Sequence, residues 1–249
     1  MNYGSIRYII GWILKVEAAL MTLPMIVSVV YREKTGVYFV MAALLCLGAG
    51  VLLSMKKPEK TTYYAKEGYI SVALGWIVMS IMGCLPFVFS GEIPFFFDAL
   101  FEIISGFTTT GASILTDVEA LSKCMLFWRS FSHWVGGMGV LVFILAILPL
   151  AGGEHNLQLM KAESPGPSVS KLVPRLRETA MMLYKIYLGM TVLMIVILAV
   201  SGMPLFDTLC LTFGTAGTGG FGVLNSSVAG YTTFQQAVIT VFMLSLIHI

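Results

Sequence analysis

Pro94-Phe95-Phe96-Phe97-Asp98-Ala99-Leu100-Phe101-Glu102-Ile103-Ile104-Ser105-Gly106-Phe107 runs directly into Thr108-Thr109-Thr110-Gly111-Ala112-Ser113. The apolar part has about 14 residues, which as a helix rising 1.5 Å per residue covers about 21 Å. A bilayer core of about 30 Å is too thick for such a helix to cross. The length therefore predicts a re-entrant helix that enters the membrane and ends in a Thr/Gly loop. Pro94 suits a first-turn position, where its missing N–H costs nothing. Asp98 stands near the positive end of the same helix.

The rest of the chain says that a membrane is present. Only 28 of 249 residues are charged, 15 basic and 13 acidic, and 57% are hydrophobic. Mean hydropathy is +0.89. A soluble domain of this length, at roughly 25% charged residues, would carry about 62. Soluble enzymes and disordered chains are thereby excluded, and the fold class is an all-α polytopic membrane protein. The net charge of +2 selects no partner. No clustered basic face is present, so no nucleic acid is expected and membrane lipid is the natural surround. Cys46, Cys84, Cys124 and Cys210 are scattered without CxxC spacing and read as small hydrophobes. No cleavable signal precedes the first apolar stretch, so the N-terminus is expected to be retained.

Apolar segments run from about Ile6 to Val30, Val37 to Met55, Gly68 to Phe89, Arg129 to about Gly153, Ile186 to about Gly202, and onward from near Thr233. Basic residues sort the loops. Lys56, Lys57, Lys60 and Lys66 follow the second span, and Lys161, Lys171, Arg175 and Arg177 follow the fourth. The excess of Lys and Arg in those loops predicts that both are cytoplasmic, with the N-terminus inside. Glu92, Asp98, Glu102, Asp117 and Glu119 then lie on the outer side. They form either an acidic vestibule that concentrates cations or simply a Lys-poor outer surface.

The re-entrant unit occurs twice. Ser90-Gly91-Glu92-Ile93-Pro94 is answered by Ser201-Gly202-Met203-Pro204, and Phe97-Asp98-Ala99-Leu100 by Phe206-Asp207-Thr208-Leu209. Thr108-Thr109-Thr110-Gly111 is answered by Thr215-Ala216-Gly217-Thr218-Gly219-Gly220-Phe221. Each copy stands between two spans. Non-helical backbone at membrane depth is tolerated only inside protein or along a watery cavity. A Thr/Gly loop there can replace an ion's hydration shell with carbonyl oxygens. The preceding short helix aims its partly negative C-terminus at the loop, which favours cations. The unit reads as a cation pathway.

The order Phe97-Asp98-Ala99-Leu100-Phe101-Glu102, Ser105-Gly106-Phe107-Thr108-Thr109-Thr110-Gly111-Ala112, Trp128-Arg129-Ser130 and Trp134-Val135-Gly136-Gly137-Met138-Gly139 resembles the TrkH/TrkG/KtrB family of potassium uptake proteins. Thr218-Gly219-Gly220-Phe221 is similar to that family's second filter. The resemblance implies K⁺ channel-like span–pore-helix–filter–span repeats, four around one axis, after a two-span preamble. It implies a potassium translocation subunit, with the ion as substrate and no covalent cofactor. It also implies a homodimer with a cytoplasmic nucleotide-binding regulatory partner of the TrkA/KtrA type, in the inner membrane of a prokaryote. Carried over residue by residue, the first filter is Thr109, Thr110 and Gly111, and the second Gly217, Thr218 and Gly219. Gly217-Thr218 replaces a bulkier pair, which leaves the register between Gly219 and Gly220 open and blurs the TrkH/KtrB distinction. Asp98, Glu102, Arg129, Asp207 and Gly220 are candidate supporting residues. A glycine at the narrow position favours potassium; sodium-coupled or sodium-permeable transport is the alternative, and a membrane enzyme or scaffold the alternative of another class. No metal cluster or hydrolase motif is present, so no enzyme is expected.

Several residues within the spans need separate accounts. Lys15 and Glu17 lie in the first span, where ionisable groups are costly. A salt bridge to a basic group on a neighbouring helix is the leading reading for Glu17. Arg129, at the outer start of the fourth span, is expected to anchor Glu102 or Asp98, or else to sit among headgroups. His133 reads as packing, and Gly136-Gly137-Met138-Gly139 as a close helix contact. The chain divides into 1–67 (two-span preamble), 68–153 (first repeat), 154–178 (cytoplasmic linker) and 179–249 (second repeat, short of its end). A four-loop filter predicts two further repeats beyond Ile249. Leu244-Ser245-Leu246-Ile247-His248-Ile249 resembles a translated sequencing adapter and is expected to be non-native.

Overall fold

The protein is described by a computed structural model covering residues 2–58, 65–139 and 173–248. Among these residues every regular element is a helix. They are α1 (Tyr3–Leu20), α2 (Thr22–Val30), α3 (Gly36–Ser54), α4 (Ala65–Ser90), α5 (Phe96–Phe107), α6 (Lys123–Gly137), α7 (Val173–Val200), α8 (Leu205–Ala216) and α9 (Thr233–His248). Four stretches are long and apolar enough to cross a membrane: Tyr3–Val30, Gly36–Ser54, Glu67–Ser90 and Met181–Val200. Each is mostly unburied by the rest of the chain. Exposed Leu44, Leu52 and Val200 therefore present side chains that suit lipid. Most of the segment drawn as 154–178, and the fourth span beyond Gly139, lie outside the described residues.

The repeat seen in the sequence is present as structure. α5 and α8 each have 12 residues, about 18 Å of helix and well short of a bilayer core. One follows α4 and the other follows α7. Their acidic residues, Asp98 and Asp207, both sit in the first turn. The prolines are not equivalent, however. Pro94 precedes the N-cap residue Phe95, whereas Pro204 is itself the N-cap of α8. Gly91 and Gly202 both turn the chain at positive φ, but four residues separate Gly91 from α5 and two separate Gly202 from α8.

Helix α6 is the axis of the described assembly. Eleven of its 15 residues are buried, from Cys124 through His133 and Val135. Trp128 is fully buried, meets Phe39 of α3 and Phe107 of α5 edge-on, and donates its indole N–H to the Gly83 carbonyl of α4 at 2.9 Å. Phe127, Phe131 and Trp134 continue the stripe onto Phe213 of α8. The start of α6 is fixed by carboxylates. Glu33 accepts from the Lys123 and Cys124 N–H groups at 2.7 and 3.0 Å, and Glu92 accepts from the Ser122 N–H at 2.9 Å. Orphan N–H groups and the positive helix end favour such partners.

This placement corrects the sequence reading of Arg129. The helix begins at Lys123, six residues earlier than drawn, so Arg129 lies in its middle and is buried rather than among headgroups. Glu17 is also corrected. It is buried, but neither carboxylate oxygen has a hydrogen-bond partner, and no basic side chain meets it among the described residues. It lies against α4, where a Cβ on Gly83 would stand 3.1 Å from its Oε1. Lys15 instead stacks its ammonium over Trp12 at 4.8 Å.

The preamble packs by close approach of backbones. A Cβ on Gly11 would stand 2.8 Å from the Gly50 carbonyl oxygen, and one on Gly50 would stand 2.8 Å from that of Gly11. Gly50→Val therefore forces α1 from α3 and is expected to destabilise the protein by about 1–3 kcal/mol, read as a lower unfolding temperature in detergent. Glu33→Ala, which uncaps α6, is expected to cost about 1–2 kcal/mol in the same assay.

Candidate ion-conducting site

Each short helix ends the same way. Thr108 and Gly217 are the C-cap residues of α5 and α8, with φ and ψ of −83° and 1° and of −75° and −3°. The next residues, Thr109 and Thr218, are left-handed at φ 55° and 58°, and Gly111 and Gly220 follow at 76° and 82°. Backbone hydrogen bonds repeat too. The Thr110 and Gly111 N–H groups donate to the Ser105 carbonyl at 2.9 and 3.5 Å, and those of Gly219 and Gly220 donate to Gly214 at 3.1 and 3.0 Å. Thr109-Thr110-Gly111 thus corresponds in backbone to Thr218-Gly219-Gly220. Gly217 corresponds to Thr108, and Asp98 precedes Gly111 by the same interval as Asp207 precedes Gly220. Of the two registers left open, Gly220 therefore corresponds to Gly111, since pairing Gly111 with Gly219 would shorten that interval by one residue.

A left-handed threonine is unfavourable because its branched Cβ crowds the backbone. Two such residues at matched places mean that the surroundings enforce the turn. Glycine at 111 and 220 adopts its positive φ without that penalty. The two loops also touch. A Cβ on Gly111 would collide with the Gly219 carbonyl oxygen, so the strands meet backbone to backbone at this point. Thr108 and Thr110 lie exposed with their hydroxyls 2.8 Å apart.

The loops hang from one buried ion pair. Arg129 Nε on α6 donates to Glu102 Oε1 on α5, and both side chains are almost wholly buried, 3% and 0% exposed. Glu102 also accepts from Ser113 Oγ at 3.0 Å and from the Ile114 N–H at 3.0 Å, fixing the exit of the first loop. Arg129 Nη1 donates to the Gly222 carbonyl at 3.0 Å, and its guanidinium lies 3.7 Å from the centroid of the Phe221 ring. One pair therefore holds both loops. Of the two carboxylates proposed for Arg129, the structure selects Glu102.

The C-terminal end of α6 fits against both short helices. A Cβ on Gly136 would strike the Phe107 carbonyl, and one on Gly137 would come within 2.8 Å of Gly217 Cα and of the Tyr187 hydroxyl. The glycine run is a close contact, as its sequence suggested. Tyr184 and Tyr187 of α7 donate to the Met138 and Trp134 carbonyls at 3.0 and 3.1 Å, tying the C-terminal end of α6 to α7. Of the acidic residues expected on the outer side, Glu92, Glu102, Asp117 and Glu119 all accept hydrogen bonds, as does Asp207. Asp117 accepts from the Asn225 side chain at 2.8 Å, Glu119 from the Asn225 N–H at 2.8 Å, and Asp207 from Tyr231 at 3.1 Å.

Removing one member of a buried pair leaves the other charge uncompensated, at a cost of about 3–5 kcal/mol. Arg129→Met and Glu102→Leu are each expected to lose that much, and the double variant clearly less than the two together. A double-mutant cycle on detergent-solubilised protein checks this; additive losses would contradict the pairing.

Similarity to known proteins agrees with this geometry. A family model for TrkH, described as a cation transport protein, matches residues 36–249. The chain is 37% identical over 249 residues to the Trk system potassium uptake protein TrkH of Salmonella typhimurium, covering 98% of this chain and 51% of that protein. It is 34% identical over 241 residues to the Trk system potassium uptake protein TrkG of Escherichia coli K12, covering 94% and 49%. The crystal structure of the potassium transporter TrkH from Vibrio parahaemolyticus superposes with a TM-score of 0.79 at 31% identity, over 97% of this chain and 49% of that one. The chain thus spans about half the length of the curated relatives it matches. With its two short helices, their matched loops and this similarity along nearly its whole length, the chain belongs to the TrkH family of cation transport proteins.

Proposed function

We propose that the chain is part of a potassium uptake protein and forms half of the ion path, in the plasma membrane of a prokaryote with the N-terminus cytoplasmic. One observation carries this reading: two helices too short to cross a membrane end in loops of closely matching backbone geometry that meet at Gly111 and Gly219. The matched relatives are named for potassium uptake, which favours potassium over sodium as the ion. Nothing in the arrangement requires catalysis. Thr109, Thr110 and Gly111 form the first filter strand, and Thr218, Gly219 and Gly220 the second, with Gly217 as the turn that precedes it. Glu102 and Arg129 support both, and Asp98 and Asp207 sit at the far, positive ends of the pore helices. Residues 1–67 are the preamble, 68–153 and 179–249 belong to successive repeats, and 154–178 join them on the cytoplasmic side.

A carbonyl-lined filter uses four such loops, so the complete pore takes two more. The working unit in this reading is a homodimer, regulated by a cytoplasmic nucleotide-binding subunit of the TrkA/KtrA type. Trk system membership of the relatives supports partner subunits in general.

Expression from the complete gene in cells lacking their own potassium uptake systems tests the reading. Growth at low potassium and uptake of radioactive rubidium are expected; neither appearing, with the protein present in the membrane, overturns it. Gly111→Ser places a Cβ against the Gly219 carbonyl at a positive-φ position. It is expected to push the strands apart and lower K⁺/Na⁺ discrimination, whereas unchanged selectivity would exclude Gly111 from the filter.

A further inference from the structure

His133 is a buried polar side chain that the ion path has not yet used. It lies on α6 one turn beyond Arg129, is fully buried, and has no hydrogen-bond partner for either ring nitrogen among the described residues. Burying an unpaired polar group is costly, so its position calls for a cause other than satisfied packing. Its surroundings supply one. The ring stacks on Phe221 with centroids 4.0 Å apart and planes at 29°. Its opposite neighbour is the second loop itself: a Cβ on Gly219 would fall onto the imidazole, with Cδ2 at 2.7 Å and Nε2 and Cε1 nearer still. The backbone of His133 is in contact as well, since a Cβ on Gly217 would meet the His133 carbonyl.

These contacts form a line. The imidazole bears on Gly219, and the Gly219 carbonyl oxygen is the atom that a Cβ on Gly111 would strike. Whatever stands behind Gly219 therefore sets how far the second loop reaches toward the first. Helix α6 is a firm support for this, held at one end by Glu33 and Glu92 and at the other by Tyr184 and Tyr187. Phe221 is pinned in turn by the Arg129 guanidinium on its ring. At the end of α5 the close neighbour is Gly136, where an added Cβ would strike the Phe107 carbonyl.

We propose that His133 is a specificity-determining positioning residue: the flat face of its ring, wedged between Phe221 and the Gly219 backbone, sets the gap between the two loops. This rests on the reading of the loops as the ion path. The ring acts by its shape: the Ser105 backbone of α5 lies beside it, but neither nitrogen has hydrogen-bond geometry to a partner among the described residues. Loss of the ring lets Gly219 settle back, widening the path and favouring neither ion by fit.

The test uses the complete gene, with competing K⁺ and Na⁺ uptake measured at equal protein in the membrane. His133→Ala is expected to lower the K⁺/Na⁺ ratio by about tenfold or more, as loss of a shape-determining contact does in other selective sites. His133→Phe, which keeps a flat ring, is expected to hold the ratio near that of the unmodified protein. If the alanine variant fails to reach the membrane, His133→Leu takes its place with the same expectation. An unchanged ratio in the ringless variant, or an equal loss with phenylalanine, overturns the proposal. A cryo-EM structure of the ringless variant supplies a readout independent of transport: the Gly219 carbonyl is expected to withdraw from Gly111, and an unchanged separation overturns the inference. Absence of potassium uptake by the unmodified protein defeats the functional reading instead, and the loop separation then decides the role of His133 alone.

Discussion

The Glu102–Arg129 pair is the constraint on which the described assembly depends. Two charges buried together are stable only if every lone pair and proton around them is occupied. Here the spare acceptor capacity of Glu102 goes to Ser113 and Ile114, and the spare donor of Arg129 goes to Gly222. The requirement for satisfaction is thus met by the loops themselves. Threonines can be kept left-handed at 109 and 218 because the segments that follow them are tied to this pair. The repeat is not symmetric in its chemistry. The position in α8 that corresponds to Glu102 is Leu211, so the second loop borrows its anchor from the first repeat.

Around that pair, the packing of α6 translates side-chain size into loop position. Small residues face the short helices where backbones must approach, as at Gly136 and Gly137. Large rings fill the preceding turns, where Trp128 and Phe131 meet Phe39 of α3, Phe107 of α5 and Phe213 of α8. Small-residue contacts of this kind suit helices that gain little from hydrophobic association within lipid. They also leave the end of the helix as the least adjustable part of the site.

The architecture was legible because its signals are counts and spacings. The shortness of Phe96–Phe107, the doubled Phe-x-x-Leu motif with its aspartate and the doubled Thr/Gly loops survive any uncertainty about exact contacts. The start of α6 was hidden for a physical reason: Ser122 and Lys123 look like loop residues, and the carboxylates that cap them come from Glu33 and Glu92, distant in sequence. The register of the second loop was hidden because Gly217-Thr218 departs from the expected pair and two glycines follow, of which only Gly220 takes the positive φ that matches Gly111. Glu17 invited a salt bridge because its sequence shows only a charge in a span. The absence of a basic partner is a fact of three helices meeting, which no one-dimensional pattern contains. His133 carried no signal beyond its identity.

The cap on α6 has a consequence for biogenesis. Glu33 lies 90 residues before the Lys123 N–H that it accepts from. Synthesis proceeds at about 5–20 residues per second, so the carboxylate waits roughly 5–20 seconds for its partner to emerge. The segment that carries Glu33 is therefore synthesised before α6 and presents a ready-made partner for its first N–H groups. An accessory segment of this kind acts as an assembly jig, ordering the insertion of the machinery that follows it.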